Sequence, residues 1–221
     1  MSGGTHPIIH SSILLGLVAL LGTALLAGVN ELTHERIVEQ EKLRILRQLN
    51  EILPTRSFNN DLLEDMIEIQ DEEFFRHHAP VKIYRARLNN EPVAVLMNLV
   101  APDGYNGDIR LLAGIRANGD VLGVRVISHR ETPGLGDPIE AEKSDWILGF
   151  NNRSLQDPET DGWAVKRDGG VFDEFTGATI SPRAVVRAVR NALVYFEEHS
   201  YSLFETPSKT GHADKVGQNG Q

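Results

Sequence analysis

The chain contains no cysteine. That excludes disulfides, thiolate metal ligands, iron–sulfur ligation and cysteine nucleophiles. His77 and His78 are adjacent rather than four residues apart, so this pair lacks metal-ligand spacing. Gly-x-Ser-x-Gly, the P-loop and the Rossmann glycine fingerprint are all missing. Loss of the last argues against this chain binding NADH itself. No catalytic residue and no metal site are expected. Positive charge is also scarce: 22 Lys and Arg stand against 31 Asp and Glu, a net charge of −9. An acidic chain gains nothing from nucleic-acid phosphates, so no nucleic-acid partner is expected.

What is present fits one globular domain with appendages. The 221 residues are 41% hydrophobic and 24% charged, enough to bury a core. Near the start, Ile13 to Val29 reads ILLGLVALLGTALLAGV, without a charge. At ~1.5 Å per residue this run spans ~25 Å, and ~33 Å from Ile8, against a bilayer core of ~30 Å. A cleaved signal peptide is the rival, but it wants a basic leader and a shorter apolar run. Here no Lys or Arg precedes Arg36. A single membrane-spanning helix is therefore expected. Arg36, Lys42, Arg44 and Arg47 follow it, and the positive-inside rule alone would keep the domain cytoplasmic.

Boundaries are expected at 1–30 for the anchor, 31–79 for a helical stalk and connecting helices, 80–205 for the domain, and 206–221 for a disordered polar tail. Val38, Ile45, Leu49 and Ile52 form one stripe of the stalk helix, which ends at Pro54. A helix docked on the domain fits that stripe equally well. The acidic run DLLEDMIEIQDEE (61–73) reads as a solvated face. Strands are expected at 81–88, 93–100, 109–115 and 121–128, with Pro92 as a break and Asn118-Gly119 as a hairpin turn. Short turns between neighbouring strands favour an α+β fold with a mainly antiparallel sheet and flanking helices.

The chemistry concentrates in Asp173-Glu174-Phe175-Thr176-Gly177-Ala178-Thr179-Ile180-Ser181-Pro182-Arg183. Gly177 permits a close backbone approach and Ala178 adds little bulk. Ser181 suits an N-cap and Pro182 the first helical position, so a helix is expected from Pro182 to about Glu198. Val185, Val186, Val189, Leu193 and Phe196 would form its buried face. Thr179 thus precedes a helix N-terminus, which favours a phosphate, and Arg183 would add charge. By itself this is also the pattern of a glycine turn before a capped helix.

DEFTGATISPRAVVRAV resembles the flavinylation motif, Asp-x-x-(Ser/Thr)-Gly-Ala-Thr, of the G subunit of Rnf electron-transport complexes. The C subunit of the sodium-pumping NADH:quinone reductase has a similar motif. GYNGDI (104–109), HRETPGLG (129–136), GDPIEAEKSDWILGF (136–150) and WAVKRDGG (163–170) are also similar to Rnf G sequence. The resemblance implies an FMN-binding domain with FMN esterified through its phosphate to Thr179. Thr176, Gly177, Ala178 and Ser181 would surround the attachment, and Ser181 departs from the threonine common at its position. The Glu131–Gly136 loop would line the flavin through Glu131, Thr132, Leu135 and Gly136. Tyr105 and Trp146 are candidates for packing near the flavin ring. His129 is read as solvated or structural.

The resemblance further implies an electron-transfer subunit of an ion-translocating oxidoreductase complex, without stand-alone activity. Its partners would be the other membrane and redox subunits, with a flavin transferase for maturation. It implies the bacterial inner membrane, with the domain on the periplasmic side, against the charge count. Two other readings remain open: a membrane-tethered FMN sensor or flavin carrier, and a cofactor-free scaffold.

Overall fold

The computed structural model describes residues 6–208, with side chains at 6–10, 24, 26–38 and 41 outside the description. Two compact units divide the chain, Met1–Ile45 and Leu46–Gln221. The first holds most of a long helix, α1 (His6–Ile52). Ile13, Leu14, Leu15, Leu17, Val18, Leu20, Leu21 and Leu25 are all exposed on it. Among the described residues no helix is long and apolar enough to cross a membrane. Much of the expected anchor, including residues 1–5 and the side chains of 26–30, lies outside the described residues.

The second unit is α+β. Five strands form one antiparallel meander in chain order: β1 (Met66–Ile69), β2 (Val81–Leu88), β3 (Glu91–Ala101), β4 (Ile109–Arg116) and β5 (Val121–Ser128). A short helix α2 (Glu72–Phe75) follows β1, and a long helix α3 (Ile180–Glu205) closes the chain. The sheet edge β1 arises inside the acidic run expected to be solvated. Met66 to Ile69 pair with Tyr84 to Val81, and Ile67 is buried. Pro92 does not break β3. It sits at the second position, opposite Arg87 and beside a register shift, where a missing N–H is tolerated. Both residues of the β2–β3 turn, Asn89 and Asn90, are left-handed, with φ of 54° and 72°. That is the backbone a two-residue type I′ hairpin requires.

Period-two alternation divides the sheet into two faces. On one, Val95, Met97, Leu99 and Ala101 of β3 join Leu111, Ala113 and Ile115 of β4 beneath Val185, Val186, Val189, Leu193 and Phe196 of α3. On the other lies a glycine pair, Gly114 and Gly123, directly opposite in register. A Cβ on Gly114 would come within 2.6 Å of Ile52 Cγ2. Residues 46–52 therefore dock on the sheet, with Leu49 and Ile52 buried. Each such burial contributes ~1.5–3 kcal/mol. Of the predicted stripe, the Val38 side chain lies outside the described residues.

The far end of α3 is held by a buried arginine. Arg85 of β2 is 2% exposed; it pairs with Asp65 and donates to Leu203 O at 3.0 Å, to Thr206 O and to Ser208 Oγ at 2.8 Å. Arg87 reaches Phe204 O and Asp65 Oδ2, the latter at 2.8 Å. Cations here satisfy the last carbonyls and oppose the helix dipole. The first residues of the expected polar tail, Thr206 to Ser208, thus belong to this clasp, and 209–221 lie outside the described residues.

Candidate functional site

Helix α3 begins at Ile180, two residues before the expected start, and Thr179 is its N-cap. Pro182 then occupies the third helical position. Its missing N–H is still one of the four that lack an intrahelical acceptor, so the earlier start loses no hydrogen bond. Ser181, expected as the cap, is instead 1% exposed and donates its hydroxyl to Glu131 Oε2. Thr179 makes no side-chain cap bond. It is half-buried, and among the described residues no hydrogen-bond partner holds its hydroxyl. A tight turn delivers it: Ala178 N donates to Phe175 O at 3.0 Å, with Gly177 at φ 82°. A side chain there would be strained whatever the space around it.

Two further loops meet this turn. In the first, Leu135 N and Gly136 N both donate to Thr132 O, at 3.1 and 3.0 Å. Asp137 closes it by accepting from Gly134 N at 2.6 Å. The second loop carries Gly104, Tyr105 and Asn106 before β4. Together the three enclose an open cleft of ≈ 210 Å³, lined by Tyr105, Glu131, Thr132, Leu135, Gly136, Gly177, Ala178, Thr179, Ile180 and Ser181. Residues from three separate stretches of sequence therefore converge on one cleft.

Glu131 joins the three loops. Its carboxylate is 4% exposed and accepts from Asn106 N at 3.0 Å, from Tyr105 N at 3.3 Å and from the Ser181 hydroxyl. Two glycines make room for it. A Cβ on Gly136 would lie 2.7 Å from Ser181 Oγ and 2.9 Å from Glu131 Cβ, and one on Gly104 would lie 3.1 Å from Glu131 Oε1. His129 orients the chain at this point, accepting from Glu131 N through Nδ1 at 2.9 Å. That contact assigns the proton to Nε2, which faces Glu140 Oε1 at 2.5 Å.

Three expected site residues lie elsewhere. Arg183 does not line the cleft; Asp168 grips its guanidinium with two bonds, at 2.5 and 2.8 Å. The hydrogen bond from Arg183 holds the Asp168 carboxyl below the usual carboxylate range, and the same bond raises Arg183. Trp146 also stays outside. Its Nε1 donates to Asp173 O at 2.7 Å, and its ring packs edge-on against Phe150 and Phe175. It braces the turn that carries Thr179 from behind. Thr176 is exposed on the outer side of that turn. Sequence reasoning missed Ile180, which lines the cleft, and Asn106, whose side chain reaches Thr132 Oγ1 at 3.3 Å. The signal for Asn106 was available in the GYNGDI motif.

Chemically, the cleft offers a free hydroxyl at the N-terminus of a 26-residue helix. The N–H groups of Ile180 and Ser181 have no intrahelical acceptor, and the helix dipole adds partial positive charge. That combination accepts a phosphate or another anion.

Comparison with known proteins finds matches over both the cleft and the N-terminal helix. A family model described as the FMN-binding domain matches residues 104–194, which include every residue lining the cleft. A second, the RnfG N-terminal region, matches residues 1–52. The G subunit of the ion-translocating oxidoreductase complex of Shewanella loihica is 50% identical over 201 residues, 91% of this chain and 95% of that protein. The protein of the same name from Pseudomonas aeruginosa is 46% identical over 205 residues, 93% of this chain and 96% of its own length. That of Vibrio cholerae is 42% identical over 198 residues, covering 90% and 94%. With this identity along nearly its whole length, the chain belongs to the family of G subunits of the Rnf ion-translocating oxidoreductase complex.

Proposed function

We propose that the chain relays electrons within an ion-translocating oxidoreductase complex through an FMN esterified to Thr179. One observation carries this reading: Thr179 presents a hydroxyl unpartnered among the described residues at the start of α3, inside a cleft built from the family's three motif segments. When bound, FMN supplies reversible electron uptake, and the protein governs its position and potential.

The residues fit one end of the cofactor. Pockets that enclose a whole ligand run to ~300–1,000 Å³. A cleft of ≈ 210 Å³ suits the phosphate and the adjoining chain, with the rest of the flavin along the exposed Tyr105, Leu135 and Ile180. Thr176, Gly177 and Ala178 shape the turn, while Glu131, Thr132, Gly136 and Ser181 form the floor. The helix N-terminus holds the phosphate, and Arg183, engaged with Asp168, braces the helix from outside. Trp146 likewise acts through Phe175.

Attachment follows from FAD as donor with a separate flavin transferase. The Thr179 oxygen bonds to the FMN phosphorus, the pyrophosphate bond breaks, and AMP leaves with the hydroxyl proton. The exposed apolar residues of α1 support a single-pass anchor in the inner membrane; the periplasmic side for the domain rests on the family resemblance alone. Other membrane and redox subunits of the complex are the electron partners.

Thr179→Ala and Thr179→Val are expected to abolish covalent flavin. Intact mass should show an FMN-minus-water increment on the wild type alone, mapped by peptide to Thr179. A mutant that keeps the increment would refute the assignment. Protease added to spheroplasts should digest the domain, and protection would overturn the periplasmic orientation.

A further inference from the structure

We infer that Glu131 is a fixed negative charge that keeps the reduction potential of the bound flavin low. The inference rests on the reading of Thr179 as the FMN-bearing residue. Among the described residues lining the cleft, Glu131 has the only charged side chain. Its two oxygens accept from Tyr105 N, Asn106 N and the Ser181 hydroxyl, the pattern of an ionised carboxylate. Those donors are neutral. Among the described residues no Lys, Arg or His side chain forms an ion pair with it, whereas Asp65, Asp137 and Asp168 each have a cation.

Gly104 and Gly136 leave room for the carboxylate and nothing larger beside it. The charge is thus buried, hydrogen-bonded at both oxygens and, among the described residues, without an ion-paired cation. A charge in that setting acts far more strongly than one in water. Each electron the flavin accepts adds negative charge on the ring at the rim of the cleft, along Tyr105 and Leu135, unless a proton follows. An uncompensated carboxylate opposes that addition and shifts the couple toward the oxidised form. Among the described residues, no other charged group is built into the wall of this cleft.

Glu131→Gln tests this, because Gln keeps the shape and an acceptor for Asn106 N but loses the charge. Wild type and variant are loaded with FAD and a flavin transferase, checked by intact mass, and titrated with dithionite in the presence of redox mediators. The variant is expected to have the more positive midpoint. At the poise where the wild type is half reduced, its reduced-to-oxidised ratio should be about tenfold higher. Asp65→Asn loosens the clasp at the far end of α3 and leaves the charge in the cleft untouched, so it should retain the wild-type midpoint; a midpoint that moves equally in both variants would overturn the charge reading.

An unchanged midpoint in Glu131→Gln overturns the inference. So does a folded Glu131→Gln protein that does not load, which would assign Glu131 to attachment and leave Thr179 standing. A wild type without the mass increment overturns the Thr179 reading itself. If Glu131→Gln does not fold, the double variant Glu131→Gln/Ser181→Ala carries the same expectation, since no hydroxyl is then left facing the amide.

Discussion

Gly136 decides how closely the loop after β5 approaches the start of α3. Its hypothetical Cβ meets Ser181 Oγ at 2.7 Å and Glu131 Cβ at 2.9 Å, and both neighbours are buried. Gly136→Ala is expected to lower stability by ~1–3 kcal/mol, as overpacking does, and to reduce flavin loading with it. A thermal melt together with intact mass checks both. Gly134→Ala nearby meets no atom, yet its φ of 76° strains any side chain. At this scale the sequence made some residues legible and hid others. Thr179, Gly177 and the Glu131–Gly136 loop stood out because their signals are local. The role of Ser181 did not. Capping rules favour a serine before a proline, but a buried carboxylate 50 positions upstream claims its hydroxyl. Arg183 was hidden for the same reason: Asp168, 15 residues earlier, holds it.

The two ends of α3 are treated differently. At its C-terminus Arg85, Arg87 and Asp65 form a clasp around the last carbonyls. Burial pushes the Asp65 carboxyl up, but hydrogen bonds from Arg87 and the charge of Arg85 outweigh it and hold the group below the ordinary carboxylate range. The native state therefore binds fewer protons at Asp65 than the unfolded chain does. Its contribution is fully present above the unfolded value of ~3.9 and is lost as pH falls through the depressed folded value. Asp65→Asn is expected to destabilise the fold at pH 7 by ~3–5 kcal/mol, since it leaves Arg85 buried without its carboxylate. The gap between wild-type and mutant melting temperatures should close as the medium is acidified below that window. None of this clasp was legible in the acidic run 61–73. Its charges looked solvated, and only pairing with β2 turns Met66–Ile69 into a strand and brings Asp65 to the arginines.

For the whole unit, the strands of the meander were readable because alternation and short turns are written in neighbouring residues. The packing of its outer face was not. The stripe ending at Ile52 fits a free stalk as well as a docked helix, and the choice depends on Gly114 and Gly123, more than 60 residues on. A fragment covering 46–208 is expected to unfold cooperatively in urea. One covering 54–208 lacks Leu49, Ile52 and Leu53, and it should lose several kcal/mol at ~1.5–3 kcal/mol per buried side chain. Equal urea midpoints for the two would show that the docked turns contribute nothing.

The clasp also fixes an order of events. Arg85 waits for Thr206, 121 residues later, before its last bonds form. Contacts so distant in sequence close late in folding. In a growing chain β1 to β5 emerge first, and these strands lack the helix that covers them until its final turns arrive. The floor of the cleft stays open just as long, because Ser181 must reach Glu131. Covalent flavin at Thr179, as proposed, is then a mark that only finished molecules receive, and a fluorescent band on a denaturing gel counts chains that completed their fold.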